Sequence, residues 1–548
     1  MTPLRRAGAL VASATLTLTG LALTAPAAQA VANDPRPASI GADWLVGQLT
    51  NGLMHNPNYG GFDDYGLSID TALGLLAVGG HGSDIATIDS ALAGNIDNYV
   101  SGDAFGDGPG SLYAGPAAKA AYFAEQAYAL SNSNPSPVSY GGRSLLTDVD
   151  GSVAETAPIQ GRIQDTSSFG DFANTIGQAY AVAVLETVSS AKTADAEAFL
   201  LKQQCSAGYF RLYFTSDKTA TDQTCNGGIA GGESAPDPDA TATAVRLLLP
   251  EVGSSAVIAR AVGKAEGWLL SQQRTDGSFV GGTSTATPNV NSTGLAGWAL
   301  GLLGDTDAAA RAAVWVRAHQ ADEVIGCADG LTPQTGALGY DDAGVAAGLS
   351  GGITDTTSDQ WRRATSQGLA VLQWTPASSP SLDVAGPAGY VHAGSAVDYT
   401  VSGATPGDKV CLTGIGGPVR GVAAPDGTAT LRAVAPAATA TWHLTAADPA
   451  GDTAHTTTSV LRARTLGVQL SRLRPTPGAR VRVTVTGLAP DEVVTIRFRG
   501  TTVRTGAASA TGAFAGSFVV RRPLGKGTVA VTGQFADRHG SAVLTVVR

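Results

Sequence analysis

The 548-residue sequence is poor in the residues that usually carry metal and thiol chemistry. It has four cysteines, two methionines and seven histidines. No Cys-x-x-Cys pair occurs, which argues against a structural zinc site. His55, His81 and His319 stand apart from each other and from every cysteine, so no Asp/Cys/His ligand set can be read from spacing. A Cys-Gly-Glu-Gln run is missing too, which excludes an internal thioester. After residue 30 no apolar run is long enough to cross a bilayer. Basic residues are scarce in the first two-thirds of the chain. Residues 31–375 hold 16 Lys+Arg against 36 Asp+Glu, a balance of −20, and no nucleic-acid partner is expected.

What is present begins with MTPLRRAGALVASATLTLTGLALTAPAAQA, residues 1–30. Arg5 and Arg6, an apolar stretch and Ala28-Gln29-Ala30 mark it as a secretory signal peptide. A secreted, extracellular location is expected, and four cysteines suit an oxidising compartment. Cys205 and Cys225 bracket one polar loop and are expected to pair. Cys327 and Cys411 are left open, either bridging two domains or free.

From residue 31 to 375 a two-helix unit recurs. KAEGWLLSQQRTDGSFVGGTSTATPNVNSTGLAGWALGLLG (264–304) reads as an amphipathic helix, a turn at Asp276-Gly277, a loop and a helix apolar almost all round. AEAFLLKQQCSAGYFRLYF (196–214) repeats its first half, aligning Phe199 with Trp268, Gln203-Gln204 with Gln272-Gln273, and Phe210 with Phe279. Inner helices are expected to begin near Asp70, Gly115-Pro116, Asn174, Asp239, Asn291 and Thr357, with Asp70, Asn174, Asp239 and Asn291 as caps. The stretch Lys264 to Phe279 resembles the repeat of squalene cyclases and protein prenyltransferases, with Phe279 where those families usually carry Trp. The resemblance implies an (α/α)6 toroid over 31–375, with the greasy helix of each pair inside.

TPASSPS (375–381) reads as a linker, its core at 376–381. Helical periodicity then gives way to short alternating segments such as AVDYTVSG, DKVCLTG, VRVTVTG and EVVTIRFRG. They predict two all-β immunoglobulin-like sandwiches, 382–460 and 461–548. The second holds 14 Lys+Arg and 3 Asp+Glu, a balance of +11, and is expected to dock on an anionic envelope polymer.

Four groups of residues bear on chemistry. Asp237 and Asp239 in APDPDATATA resemble the Asp-rich motif with which class II terpene cyclases protonate an alkene, but Ala240 replaces the last carboxylate. Helix capping is the stronger reading of Asp239. GGFDDYG (60–66) and GYDDAG (339–344) lie in the first and last pairs. Ring closure would bring Asp63, Asp64, Asp341 and Asp342 together, an oxygen-only set suited to Ca²⁺. No other cofactor is expected. Aromatics in the outer-to-inner loops, Tyr59, Phe62, Tyr65, Tyr209, Phe210 and Tyr340 foremost, would line one mouth and hold a glycan or lipid. Helical toroids also occur in glycan-cleaving enzymes, where Asp63, Asp171 and Asp341 would be the acids to test. The sequence favours a secreted, non-catalytic binding or cell-surface protein. The alternative is an extracellular enzyme on the toroid scaffold, terpene-cyclase-like or glycan-active.

Overall fold

A computed structural model describes residues 32–548 apart from 103–105, 109, 228–232, 284, 379–380 and 415, and apart from the Tyr59 side chain. Residues 1–30, expected to be a signal peptide, lie outside the described residues, and the expected linker lies partly outside them.

The helical part consists of six consecutive pairs. They are α1 (Arg36–Val46) with α2 (Tyr65–Val78), then α3 (Gly82–Ala93) and the short α4 (Asp97–Val100) with α5 (Ala114–Leu130). α6 (Leu145–Ser152) pairs with α7 (Thr175–Thr187), α8 (Thr193–Lys202) with α9 (Pro238–Leu248), and α10 (Ala256–Gln272) with α11 (Val290–Leu303). α12 (Thr306–Ala318) is followed by α13 (Asp342–Gly351) and then α14 (Asp355–Gly368). The second helix of each pair packs against the second helix of the next, and α14 packs against α2, so the ring closes. Thr71 and Ser366 share a hydrogen bond of 2.8 Å across the closure, and Arg363 pairs with Asp64 there.

One glutamine bond repeats around the outer layer. Gln204 Nε2 donates to Ala261 O at 2.7 Å, Gln273 Nε2 to Ala308 O at 2.8 Å, and Gln320 Nε2 to Pro37 O at 2.9 Å. Each ties the end of one outer helix to the next, and the third spans the closure. A second bond fixes each loop to its inner helix. Phe210 N donates to Thr241 Oγ1, Phe279 N to Thr293 Oγ1 and Leu338 N to Thr365 Oγ1, each at 2.9 Å. The inner helices approach closely. A Cβ on Gly294 would stand 2.4 Å from Gln367 O, so only glycine fits where α11 meets α14.

The caps fall earlier than the sequence predicts. Asp64 accepts from Leu67 N, Asp237 from Ala240 N and Asn289 from Ser292 N, each at 2.8 Å, while Asn174 caps as expected. Asp70, Asp239 and Asn291 therefore lie inside their helices and cap nothing. The glycine-rich segment 327–352 contains α13, whose cap is Asp341.

The β-rich part holds two sandwiches whose strand orders match except that the first two strands exchange sheets. In the first, Tyr390–His392, Thr453–Leu461, Ala440–Ala447, Lys409–Thr413 and Val419–Val422 form one sheet. Asp383–Ala385, Ala396–Ser402 and Ala429–Val434 form the other. In the second, the five-stranded sheet runs Arg464–Thr465, Arg538–Val546, Gly525–Thr532, Val493–Phe498, Thr501–Ala507. It faces Gly467–Leu470, Arg480–Thr486 and Ala513–Val519. Each sandwich encloses its own apolar core.

Buried ions and a cystine join the ring to the first sandwich. Arg317, fully buried, pairs with Asp408 at 2.7 Å and Asp322 at 2.8 Å, and Arg36 adds a contact to Asp408 at 3.0 Å. Burial pushes the Asp408 carboxyl upward, and Arg317 and Arg36 oppose it. Cys327 and Cys411 are disulfide-bonded across this joint, and Cys205 pairs with Cys225 as expected. No described helix is long and apolar enough to cross a membrane.

Candidate functional site

All six inner helices contribute to a cavity of about 180 Å³ at the centre of the ring. Inner helices that pack on both sides should be apolar throughout, yet each lumen face keeps polar groups. On α2 and α5, Asp70 and Lys119 form an ion pair of 2.6 Å, and Lys119 Nζ also donates to Gly66 O at 3.0 Å. Burial works against the Lys119 ammonium, but Asp70 and the neighbouring tyrosines hold its pKa above the usual lysine value. On α9, Arg246 lies 4.2 Å from the centroid of the Trp298 ring and donates to Tyr180 OH at 3.2 Å. Tyr180 in turn stacks with Tyr122 at 5.4 Å. On α11, Asn291 Nδ2 donates to Gln367 Oε1 at 2.7 Å.

A cleft of about 240 Å³ shares Lys119, Ile176 and Tyr180 with this cavity and opens past Tyr99, Tyr113, Asp165 and Phe172. The two share a wall of three residues, and each is of a size that suits a small molecule or the end of a longer one. Burial pushes the Tyr99 hydroxyl up to about 12, so it stays protonated and available as a donor or acceptor.

Asp239 is the most perturbed carboxyl of this region. It shares one face of α9 with the lumen-lining Thr243 and Arg246, four and seven residues on. Its Oδ1 is buried without a hydrogen-bond partner, as are Asn291 Oδ1 and Ser292 Oγ on α11. Burial, and then the charge of Asp237, push Asp239 up to about 7, while the nearby Ser292 hydroxyl pulls the other way without forming a well-aligned bond. The N-terminal ends of α9 and α11 thus bury Asp239 Oδ1, Asn291 Oδ1 and Ser292 Oγ without an aligned hydrogen bond, with the Ser292 hydroxyl the nearest donor to Asp239.

The predicted ligand residues divide. Phe210 is fully buried, and its repeat partner Phe279 is too, so this position packs the barrel and does not line a mouth. Tyr209 is half-buried against Trp268 at 5.2 Å, and its hydroxyl donates to Ser234 O at 2.5 Å. Tyr65 faces Tyr99 at 6.2 Å beside the cleft. Phe62 is 44 % exposed, and Tyr340 is half-buried near Asp239. The Tyr59 side chain lies outside the described residues. Lys119, Tyr180, Arg246 and Trp298 were not foreseen. Their signal was a lone charged or bulky residue on an otherwise small, apolar helix.

The four paired aspartates are engaged separately. Asp63 bonds His55 at 2.8 Å, Asp64 caps α2 and pairs with Arg363, Asp341 caps α13 at 2.8 Å, and Asp342 reaches His319 at 3.1 Å. Among the described residues, no group of three or more His, Cys, Asp or Glu is arranged to hold a metal ion. The shared Ca²⁺ site expected from ring closure is therefore not assembled: α13 intervenes, so the two Asp-Asp turns cap different kinds of helix. Asp171 is likewise tied, to Arg162 at 2.9 Å and Lys218 at 2.7 Å.

No protein-family model matches the sequence, and no curated protein matches it. Solved structures similar to parts of it include the adhesin InvE of Yersinia pseudotuberculosis. That likeness is at 17 % identity and TM-score 0.18, over 31 % of this chain and 58 % of the adhesin. The type II terpene cyclase MstE from Scytonema is 13 % identical at TM-score 0.41, over 62 % of this chain and 98 % of the cyclase. An unsaturated glucuronyl hydrolase specific for heparin is 9 % identical at TM-score 0.44, over 62 % and 96 %. Likenesses of this size transfer no activity.

Proposed function

We propose that the chain is a secreted binding protein whose helical ring holds a small polar or amphiphilic ligand, such as the end of a glycan or a lipid headgroup, in its lumen. The observation that carries this reading is the polar lining of the ring cavity, where Arg246 lies over Trp298 and Asp70 pairs with Lys119, with unpartnered buried acceptors at Asp239 and Asn291 one turn before the lining residues Thr243 and Leu295. A buried acceptor without a donor costs roughly 1–3 kcal/mol, so a ligand that donates hydrogen bonds there recovers that loss. Tyr65 and Phe172 at the rim supply apolar area for the rest of such a ligand. The β-sandwiches, read as immunoglobulin-like modules, serve as a stalk, and the basic second one docks on an anionic envelope polymer.

The test is a screen of oligosaccharides, lipids and isoprenoids by melting temperature and tryptophan fluorescence. At least one class should stabilise the wild-type chain, and Arg246→Met should weaken that effect about tenfold. A chain that no class stabilises contradicts the reading. Secretion predicts that protein recovered from the medium starts at Val31; retention of residues 1–30 would contradict it.

One observation favours the enzyme alternative. A carboxyl held near pKa 7, as Asp239 is, can act as a general acid at neutral pH. In that case Asp239→Asn abolishes turnover of an isoprenoid or oligosaccharide while ligand binding persists. If no product forms with the wild-type chain, binding stands alone.

A further inference from the structure

The second sandwich carries a charge arrangement that its own fold does not use. Its strand Arg480–Thr486 places Arg480 and Arg482 two residues apart, on the same outward face of the three-stranded sheet. Arg472 follows the neighbouring strand, and Arg504 reaches over from the edge of the other sheet. Together they wall a groove of about 620 Å³. Its floor is made of small residues. Gly516 sits opposite Val483 and Ser517 opposite Arg482.

The module's acidic groups lie elsewhere. Residues 461–548 hold three carboxylates. Glu492 is buried against Arg538 at 2.6 Å, Asp537 bonds His392 at 2.7 Å, and Asp491 lies by Tyr390 at the joint between the sandwiches. Among the described contacts, the only hydrogen bond made by a groove guanidinium goes to a neutral group: Arg480 donates to Ser517 Oγ at 3.2 Å. Four like charges around one groove repel one another, and a bound polyanion removes that cost.

From this we propose that the groove is a docking site for a linear phosphate polymer, in which consecutive phosphodiesters are gripped by guanidinium groups. The inference rests on the reading of the second sandwich as a docking module and locates its binding surface. Guanidinium forks match phosphate oxygens two at a time, and a chain with one charge per unit can span several arginines. The lining contains no aromatic side chain, which argues against stacking of sugar rings or nucleobases.

The experiment uses the full-length chain with polyglycerol phosphate as probe, and polyglutamate, heparin and single-stranded DNA as comparators. A variant with Arg472, Arg480, Arg482 and Arg504 all changed to Gln is compared with one in which Arg474, Arg497, Arg521 and Arg548 are changed to Gln. Both sets are solvent-exposed, and melting curves confirm folding. Wild type should bind polyglycerol phosphate with an affinity that falls steeply with salt. The groove variant should lose more than tenfold, and the control variant less than threefold. Equal losses in both variants overturn the groove while leaving a diffuse docking module. Absence of wild-type binding to every polyanion overturns the docking reading itself. Preference for polyglutamate, heparin or DNA over polyglycerol phosphate overturns the phosphate assignment.

Discussion

The joint between ring and first sandwich and the N-terminal ends of α9 and α11 both bury polar groups, and they pair them to different degrees, although Arg36 Nε and Asp322 Oδ2 at the joint also lack a hydrogen-bond partner. At the joint, Arg317 meets two carboxylates, and Asp408 meets two guanidiniums at 2.7–3.0 Å. At the N-terminal ends of α9 and α11, Asp239 Oδ1, Asn291 Oδ1 and Ser292 Oγ have no aligned hydrogen-bond partner. A fold under selection for stability alone would have little reason to leave the second set as it is, because unpaired buried polar groups are expensive. The difference separates charges that hold the molecule together from polar groups that are open to something else.

Breaking the joint should have the largest effect. Asp408→Ala leaves Arg317 buried with one partner fewer, and should cost about 3–5 kcal/mol by denaturant unfolding. An unchanged midpoint would show that the joint is wet and the ion cluster idle. Reducing the Cys327–Cys411 bridge, which closes 84 residues of sequence, should cost about 4 kcal/mol on the loop-entropy estimate. Ring closure comes next. Gly294→Ala drives a Cβ into Gln367 O and should destabilise by about 1–3 kcal/mol. If α11 and α14 tolerate it without a fall in melting temperature, the ring is looser than described.

A smaller effect distinguishes the two kinds of buried charge within the joint itself. Lys409 lies among Asp322, Arg317, Asp408 and Asp329, donates to Ala318 O, and is pulled down to about 8 by burial, with Asp322 opposing. Its folded pKa lies below the unfolded value of 10.5, so the unfolded chain binds the extra proton between those limits. Wild-type stability should therefore rise as pH climbs from about 8 toward 10.5. Lys409→Met, which removes the cost of burying the ammonium, should be the more stable protein at neutral pH and lose that advantage by the upper limit. A variant that melts lower at every pH would mark Lys409 as a net stabiliser.

The sequence carried the ring further than it carried the site. Six helix pairs were readable because the Gln-Gln and Phe positions recur at Gln203, Gln204 and Phe210 and again at Gln272, Gln273 and Phe279. The same recurrence should have marked Phe210 as packing, since a side chain required in repeated units serves the repeat. The caps misled by two residues at Asp239 and Asn291 and by six at Asp70. In Asp-Pro-Asp and Asn-Val-Asn either polar residue can cap, and only the backbone turn at Asp237 and Asn289 decides. That small shift turned supposed caps into groups buried in the first turns of α9 and α11. In the sandwiches, Ala396–Ser402 and Arg480–Thr486 were legible by alternation. Edge strands of two to four residues, such as Tyr390–His392 and Arg464–Thr465, were too short to show a period. The Cys327–Cys411 pairing depended on how two domains dock, which local sequence does not encode.

The comparison between joint and lumen is tested most directly by melting wild type and Asp239→Asn side by side across pH. The Asp239 carboxyl has its folded pKa raised from 3.8 to about 7, so the folded chain holds an extra proton between those limits. Its stabilising contribution is full below about pH 4 and is lost as pH rises through 7. The account predicts that the two proteins melt together below about pH 4 and that Asp239→Asn becomes progressively the more stable as pH rises toward 7, with the difference constant above it. If Asp239→Asn melts lower than wild type throughout, Asp239 holds the fold together as Asp408 does, and the lumen is not a site kept open for a ligand.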